Sequence, residues 1–181
     1  MKRKGRDTKP LKVYLDNTII SRLGDLERGV EHPSEKLHQD MEALPRLLKE
    51  RSRRRMRFYT SQDSAVEIQR LRRTPIRELL MSKKDSFPRL PVRHELGQGN
   101  APTDRLAHEL EAFLLEKTRV TDTKKRESVR WDACHLAVCQ DNACDVFLTT
   151  DYASLWAYRR ALKSRFGIVV KRPVELLEEI H

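Results

Sequence analysis

Four short runs of strand-forming residues, each parted from the next by helical pattern, constrain this chain most. They are Leu11 to Asp16 (LKVYLD), Arg57 to Thr60 (RFYT), Val146 to Thr149 (VFLT) and Gly167 to Lys171 (GIVVK). Strands joined through helices need crossover connections, and crossovers make parallel neighbours. The expected fold class is therefore α/β, with a largely parallel sheet. Helical periodicity covers 18–28, 34–54, 61–72, a short segment opened by Pro75, 103–116, 127–142, 153–165 and the stretch from Pro173. Pro45 is expected to kink or split the second of these. Residues 82–102 hold Pro88, Pro91, Gly97, Gly99 and Pro102 and read as a loop.

A length of 181 residues suits one domain. Residues 1–10 read as a basic, flexible arm and 11–181 as the domain, with an enlarged helical middle at about 72–126. No stretch reaches the roughly 18 apolar residues of a membrane span. The basic N-terminus is followed by no apolar segment, so no secretory signal is read and the cytoplasm is the expected location. Cys134, Cys139 and Cys144 read as free thiols rather than zinc ligands. On a helix their spacing would turn successive thiols away from one another.

The net charge of +10 makes polyanions plausible partners. The excess is uneven. Residues 1–58 carry 16 basic and 9 acidic side chains, and it peaks at Arg51, Arg53, Arg54, Arg55 and Arg57. That run reads either as a solvated helix end or as a phosphate-binding patch.

In open parallel sheets ligands sit at the carboxyl ends of the strands. Asp16 ends the first run and Asp151 follows the third. Glu67 and Asp132 lie on helices expected to pack near the same edge. Each has a structural alternative. Asp151 could cap the helix after it. Glu67 could belong to a Ser64-x-x-Glu67 capping box. Asp132 could be a first-turn acid. Asn17 or Thr18 is expected to cap the helix after Asp16, leaving Asp16 free. His135 reads as a packed histidine bonded to a neighbour, with a metal-ligand or general-base role as the alternative, and Trp131 as core or interface, with base stacking as the alternative.

Taken in order, these pieces resemble a PIN-domain ribonuclease. Val13-Tyr14-Leu15-Asp16-Asn17 resembles the family's opening strand and first acid, and Thr60-Ser61-x5-Glu67-Ile68 its second. Asp132-Ala133-x-His135-Leu136-Ala137, followed by Asp145-Val146-Phe147-Leu148-Thr149-Thr150-Asp151, resembles its most specific part, with the third and fourth acids. Ile168-Val169-Val170-x-x-Pro173 resembles its last strand and helix. Asn17-Thr18 stands where Thr or Ser more usually follows the first acid.

The resemblance implies a PIN-like three-layer α/β/α fold, with helices on both faces of the sheet. It implies a metal-dependent endoribonuclease with Asp16, Glu67, Asp132 and Asp151 as catalytic and metal-binding acids, and Mg2+ or Mn2+ as cofactor. Hard oxygen ligands suit those ions. Asn17 or Thr150 would hydrogen-bond a ligand carboxylate. The arginine run (Arg51, Arg53, Arg54, Arg55, Arg57) would hold the RNA substrate. Many small members are toxins of toxin–antitoxin pairs, so an antitoxin and a homodimer join the expected partners, with no membrane. Two readings stand beside this one: a non-catalytic nucleic-acid-binding or assembly protein of the same fold, and a DNA-directed nuclease of the same chemistry.

Overall fold

The computed structural model describes residues 9–32, 34–53, 55–71, 74–91 and 102–181. Arg54, most of the 1–10 arm and the 92–101 part of the expected loop lie outside them. The chain opens with β1 (Leu11–Leu15), α1 (Asn17–Arg28) and α2 (Glu35–Ser52). Next come β2 (Met56–Ser61), α3 (Gln62–Gln69), α4 (Thr74–Asp85) and β3 (Arg89–Leu90). Then follow α5 (Pro102–Thr118), α6 (Thr123–Asp141), β4 (Val146–Leu148), α7 (Arg159–Phe166), β5 (Val170–Lys171) and α8 (Pro173–Ile180).

The five strands form one sheet in the order β3-β2-β1-β4-β5, every pair parallel. Val13 lies in register with Phe58 on one side and Val146 on the other. Alternation along β1 sends neighbouring side chains to opposite faces. Val13 and Leu15 join a core with Met56, Phe58 and Leu148, covered by Ile20, Leu44, Leu47, Leu80 and Leu177 from α1, α2, α4 and α8. Tyr14 and Phe147 join a second core, covered by Leu110, Leu114, Leu136 and Leu162 from α5, α6 and α7. Helices thus pack on both faces, giving three layers.

Several expected elements change. Arg89–Leu90 pairs with the end of β2 inside the stretch read as loop, which adds a fifth strand. Helix α2 runs unbroken through Pro45. An interior proline costs about 3 kcal/mol, but Met41, Leu44 and Leu47 are buried beside it. Each such burial contributes roughly 1.5–3 kcal/mol. Helix α6 starts four residues before the expected Glu127, at Thr123, because Asp122 caps it by accepting from the Lys125 N–H at 3.0 Å. Residues 152–158 form turns, and helix begins only at Arg159. The Tyr152 hydroxyl and the Trp156 indole are drawn instead to Asp40 and Glu175.

The cysteines are free thiols. Cys144 lies beyond α6, not on it. Left-handed Ala143 (φ 49°) turns the chain back so that the Cys144 N–H donates to the Cys139 carbonyl at 3.0 Å. The two thiols meet rather than diverge. Among the described residues no helix is long and apolar enough to cross a membrane.

Candidate carboxylate site at the carboxyl edge of the sheet

The connections leave β1 for β2 on one side, while β4 lies on the other. Such a reversal is where open parallel sheets bind ligands, here beyond the carboxyl ends of β1 and β4. Asp16 stands at the end of β1, 2% exposed. It is itself the N-cap of α1, accepting from the Asn17 N–H at 2.7 Å. The expectation that Asn17 or Thr18 would cap and free it is corrected. The Thr18 hydroxyl (2.6 Å) and the Thr149 hydroxyl (2.7 Å) also donate to it. Burial pushes its carboxyl up, opposed by the His135 charge and the two hydroxyl bonds.

Ser61, not Ser64, caps α3, accepting from the Ser64 N–H at 3.4 Å. The capping-box alternative for Glu67 therefore falls, because Glu67 lies beyond the first turn. Its carboxylate accepts from the Asn17 side-chain amide and from His135 Nε2 at 3.0 Å. Burial pushes Glu67 up, but the hydrogen bond and charge of His135, with Asn17 and Arg70, outweigh it and hold the carboxyl low.

Asp132 and His135 stand about one turn apart on α6, which makes them neighbours on its surface. Asp132 lies at the middle of α6, which removes its first-turn alternative. Burial raises its carboxyl well above the usual range, and Asp16, Asp151 and Glu67 raise it further. Among the described residues no hydrogen bond offsets this. The four acids thus share one electrostatic neighbourhood. Asp151 also caps the turns after β4, accepting from the Ala153 and Ser154 N–H groups at 3.0 Å each and from the Ser154 hydroxyl.

Behind the acids runs a buried chain in which His135 is the packed, neighbour-bonded histidine expected, while its partners Tyr14 and Ser61 were not foreseen. His135 is 1% exposed. Its Nδ1 meets the Tyr14 hydroxyl at 2.7 Å, and that hydroxyl meets Ser61 Oγ at 2.8 Å. In the neutral ring Nε2–H donates to Glu67 and Nδ1 accepts from Tyr14. His135 thus holds Glu67 in place from beneath. Nothing in the sequence marked Tyr14, since a tyrosine in a strand is ordinary core.

Thr150 requires a correction. Its hydroxyl is buried without a hydrogen-bond partner, and Thr149 and Thr18 hold Asp16 instead. Adjacent residues at a strand end face opposite ways, so a shift of one residue exchanged the two threonines.

The arginine run is not brought to the acids. Of its described members, Arg51, Arg53 and Arg55 precede Met56 and Arg57 follows it, all at the amino end of β2, whereas Ser61 at the other end reaches the Tyr14–His135 chain. Five strand steps of about 3.3 Å separate them by roughly 17 Å. Arg53 pairs with buried Glu50 at 2.6 Å and Arg55 lies 3.6 Å from it. Arg51 donates to the Ser86 carbonyl at 3.2 Å, and with Arg57 lines a separate cavity of about 380 Å³.

Two observations bear on whether an ion fits. Among the described residues no group of three or more His, Cys, Asp and Glu side chains is arranged to hold one. The donor set is nonetheless all carboxylate oxygen, Asp132 carries an uncompensated charge conflict, and Asn17 Oδ1 is buried without a partner. This suits an ion that keeps waters and takes one or two carboxylates, as magnesium does.

His135 gives a pH test. Burial lowers its pKa, but the bond and charge of Glu67, with Asp16 and Asp63, raise it overall. A raised histidine stabilises fully below its unfolded value of about 6.5 and loses that stabilisation as pH climbs through the folded value. Urea unfolding of chelator-treated protein from pH 6 to 9 should show this loss. His135→Gln should flatten it, and an identical slope in the variant would refute the assignment.

Comparison with family models, with curated proteins and with solved structures finds no match to this chain.

Proposed function

We propose that this chain is a PIN-like, metal-dependent endoribonuclease that hydrolyses RNA phosphodiester bonds at the Asp16–Glu67–Asp132–Asp151 cluster. One observation carries the reading: acids from four separate segments lie close enough at the switch point of a parallel sheet for three of them to oppose ionisation of the fourth. Like charges held together this way invite a proton or a cation.

A bound magnesium or manganese ion would supply positive charge that activates water and stabilises the scissile phosphate. Asp16 and Asp132 are the acids best placed to hold it. Thr18 and Thr149 orient the Asp16 carboxylate. His135 and Asn17 orient Glu67, which stays ionised and can accept a hydrogen bond from a water. Asp151 adds negative charge from its turn. Attack in line with the leaving oxygen leaves a 5′-phosphate and a 3′-hydroxyl. An antitoxin and a second copy of the chain are the partners of the toxin-like form of this proposal.

The test is cleavage of a labelled RNA pool beside matched single-stranded DNA. Chelator should abolish cleavage, and magnesium or manganese should restore it. Either ion should also raise the melting temperature, since a ligand at a hundred times its Kd adds about 2.7 kcal/mol. Cleavage that persists after exhaustive chelation would exclude the metal reading. Binding without cleavage would favour the non-catalytic alternative, and equal cutting of DNA the DNA-directed one.

A further inference from the structure

A cavity of about 510 Å³ opens where the end of α3 meets the first half of α6, lined among others by Arg70, Arg126, Arg130, Trp131, Glu111 and Glu127. These helices also carry Glu67 and Asp132. Trp131 directly precedes Asp132, and Arg70, about one turn beyond Glu67, reaches its carboxylate electrostatically. The cavity therefore adjoins the carboxylate site, unlike the arginine run.

Its chemistry is that of a platform with two anchors. The Arg70 guanidinium lies 4.8 Å over the Trp131 ring and is paired with Glu127. Arg126 and Arg130 are exposed and four residues apart, hence on one side of the helix. Neither makes an ion pair with another described residue. Glu111 adds one negative charge, so the lining holds three cations to two anions. Trp131 is 7% exposed beneath Arg70, so a ligand suited to this space offers phosphate to Arg126 and Arg130 and a flat ring to the exposed Arg70 guanidinium that Trp131 backs. Stacking on a guanidinium plane is available only to an unpaired base.

We propose that this cavity is a nucleotide subsite for single-stranded nucleic acid, holding the phosphate and base that flank the bond placed at the carboxylates. It rests on the nuclease reading for its role, but its binding can be measured without cleavage.

The probe is a fluorescein-labelled single-stranded RNA of roughly ten nucleotides, within the usual span of such sites. Its anisotropy is followed with chelator-treated protein at several salt concentrations. Arg126→Gln with Arg130→Gln removes two phosphate contacts. It should weaken binding several-fold and lower the salt slope by about 1.4, at 0.7 for each contact. With ion restored, KM should rise while kcat at saturation changes little. A duplex of the same sequence should compete poorly. Arg51→Gln with Arg57→Gln, at the other edge of the sheet, should leave affinity and slope unchanged. Equal affinity and slope in the Arg126/Arg130 variant overturns the proposal, as does failure of the wild type to bind the probe at low salt. Weakened binding with no cleavage by the wild type supports the subsite while rejecting the nuclease.

Discussion

Asp132→Asn is expected to lower RNA cleavage by at least about tenfold to a hundredfold, the range for lost support of a metal site, while making the metal-free protein more stable at neutral pH. Both effects come from one carboxyl. Burial and the charges of Asp16, Asp151 and Glu67 raise its pKa well above the unfolded value. Between those two values the folded state binds more protons than the unfolded state, so stability falls as pH rises. The contribution is full below the ordinary carboxylate range and lost as pH climbs through the folded value. Asparagine has nearly the same size and no proton to lose. Unfolding of chelator-treated wild type and variant should therefore diverge toward neutral pH, with the variant the more stable. Added magnesium should reverse the order, because it stabilises only a site that binds it. Full activity with unchanged stability would remove Asp132 from the site. Asp16→Asn and Asp132→Asn should combine non-additively in activity, since both serve one centre.

Arg172→Ala should produce the largest loss of stability. Asp40 is 0% exposed. It accepts from Arg172 Nε at 2.9 Å, the Tyr152 hydroxyl at 2.6 Å and the Val174 N–H at 3.1 Å. Arg172 also donates to the Lys36 carbonyl at 3.0 Å. The cluster joins α2 to the start of α8 and to the residue after Asp151. Removing the cation leaves a buried charge uncompensated, which costs about 3–5 kcal/mol. At about 2–4 °C for each kcal/mol in a chain of this size, the melting temperature should drop by roughly 6–20 °C. Replacing the pair together, Asp40→Leu with Arg172→Met, should cost less than Arg172→Ala, because no charge is stranded. A single variant within about 1 kcal/mol of wild type would show that the pair is solvated in practice. Arg172 carried no sequence signal, because its partner lies 132 residues away.

Much of the architecture was legible because it depends on local periodicity. Four of the five strands announce themselves by apolar runs, and the helices between them require parallel crossovers. The acids were legible for the same reason: a strand end is where an apolar run stops, and Asp16 and Asp151 stand there. β3 was not legible, since a strand of two residues has no period and exists only because the end of β2 offers it a partner.

Hydrogen bonding across the sheet edge decided the rest. That Thr149 rather than Thr150 holds Asp16, and what lies beneath Glu67, depend on atoms more than 40 residues apart meeting in space. The arginine run shows the same limit. Its composition is plain in the sequence, but composition carries no direction, and the direction of β2 placed it at the opposite edge from the acids. Arg70, Arg126 and Arg130, scattered in sequence, were gathered beside the acids by the packing of α3 on α6. Sequence alone determined which residues can carry charge and which segments can be strands. Only the tertiary structure decided which charges face one another, because that is set by long-range packing and not by spacing along the chain.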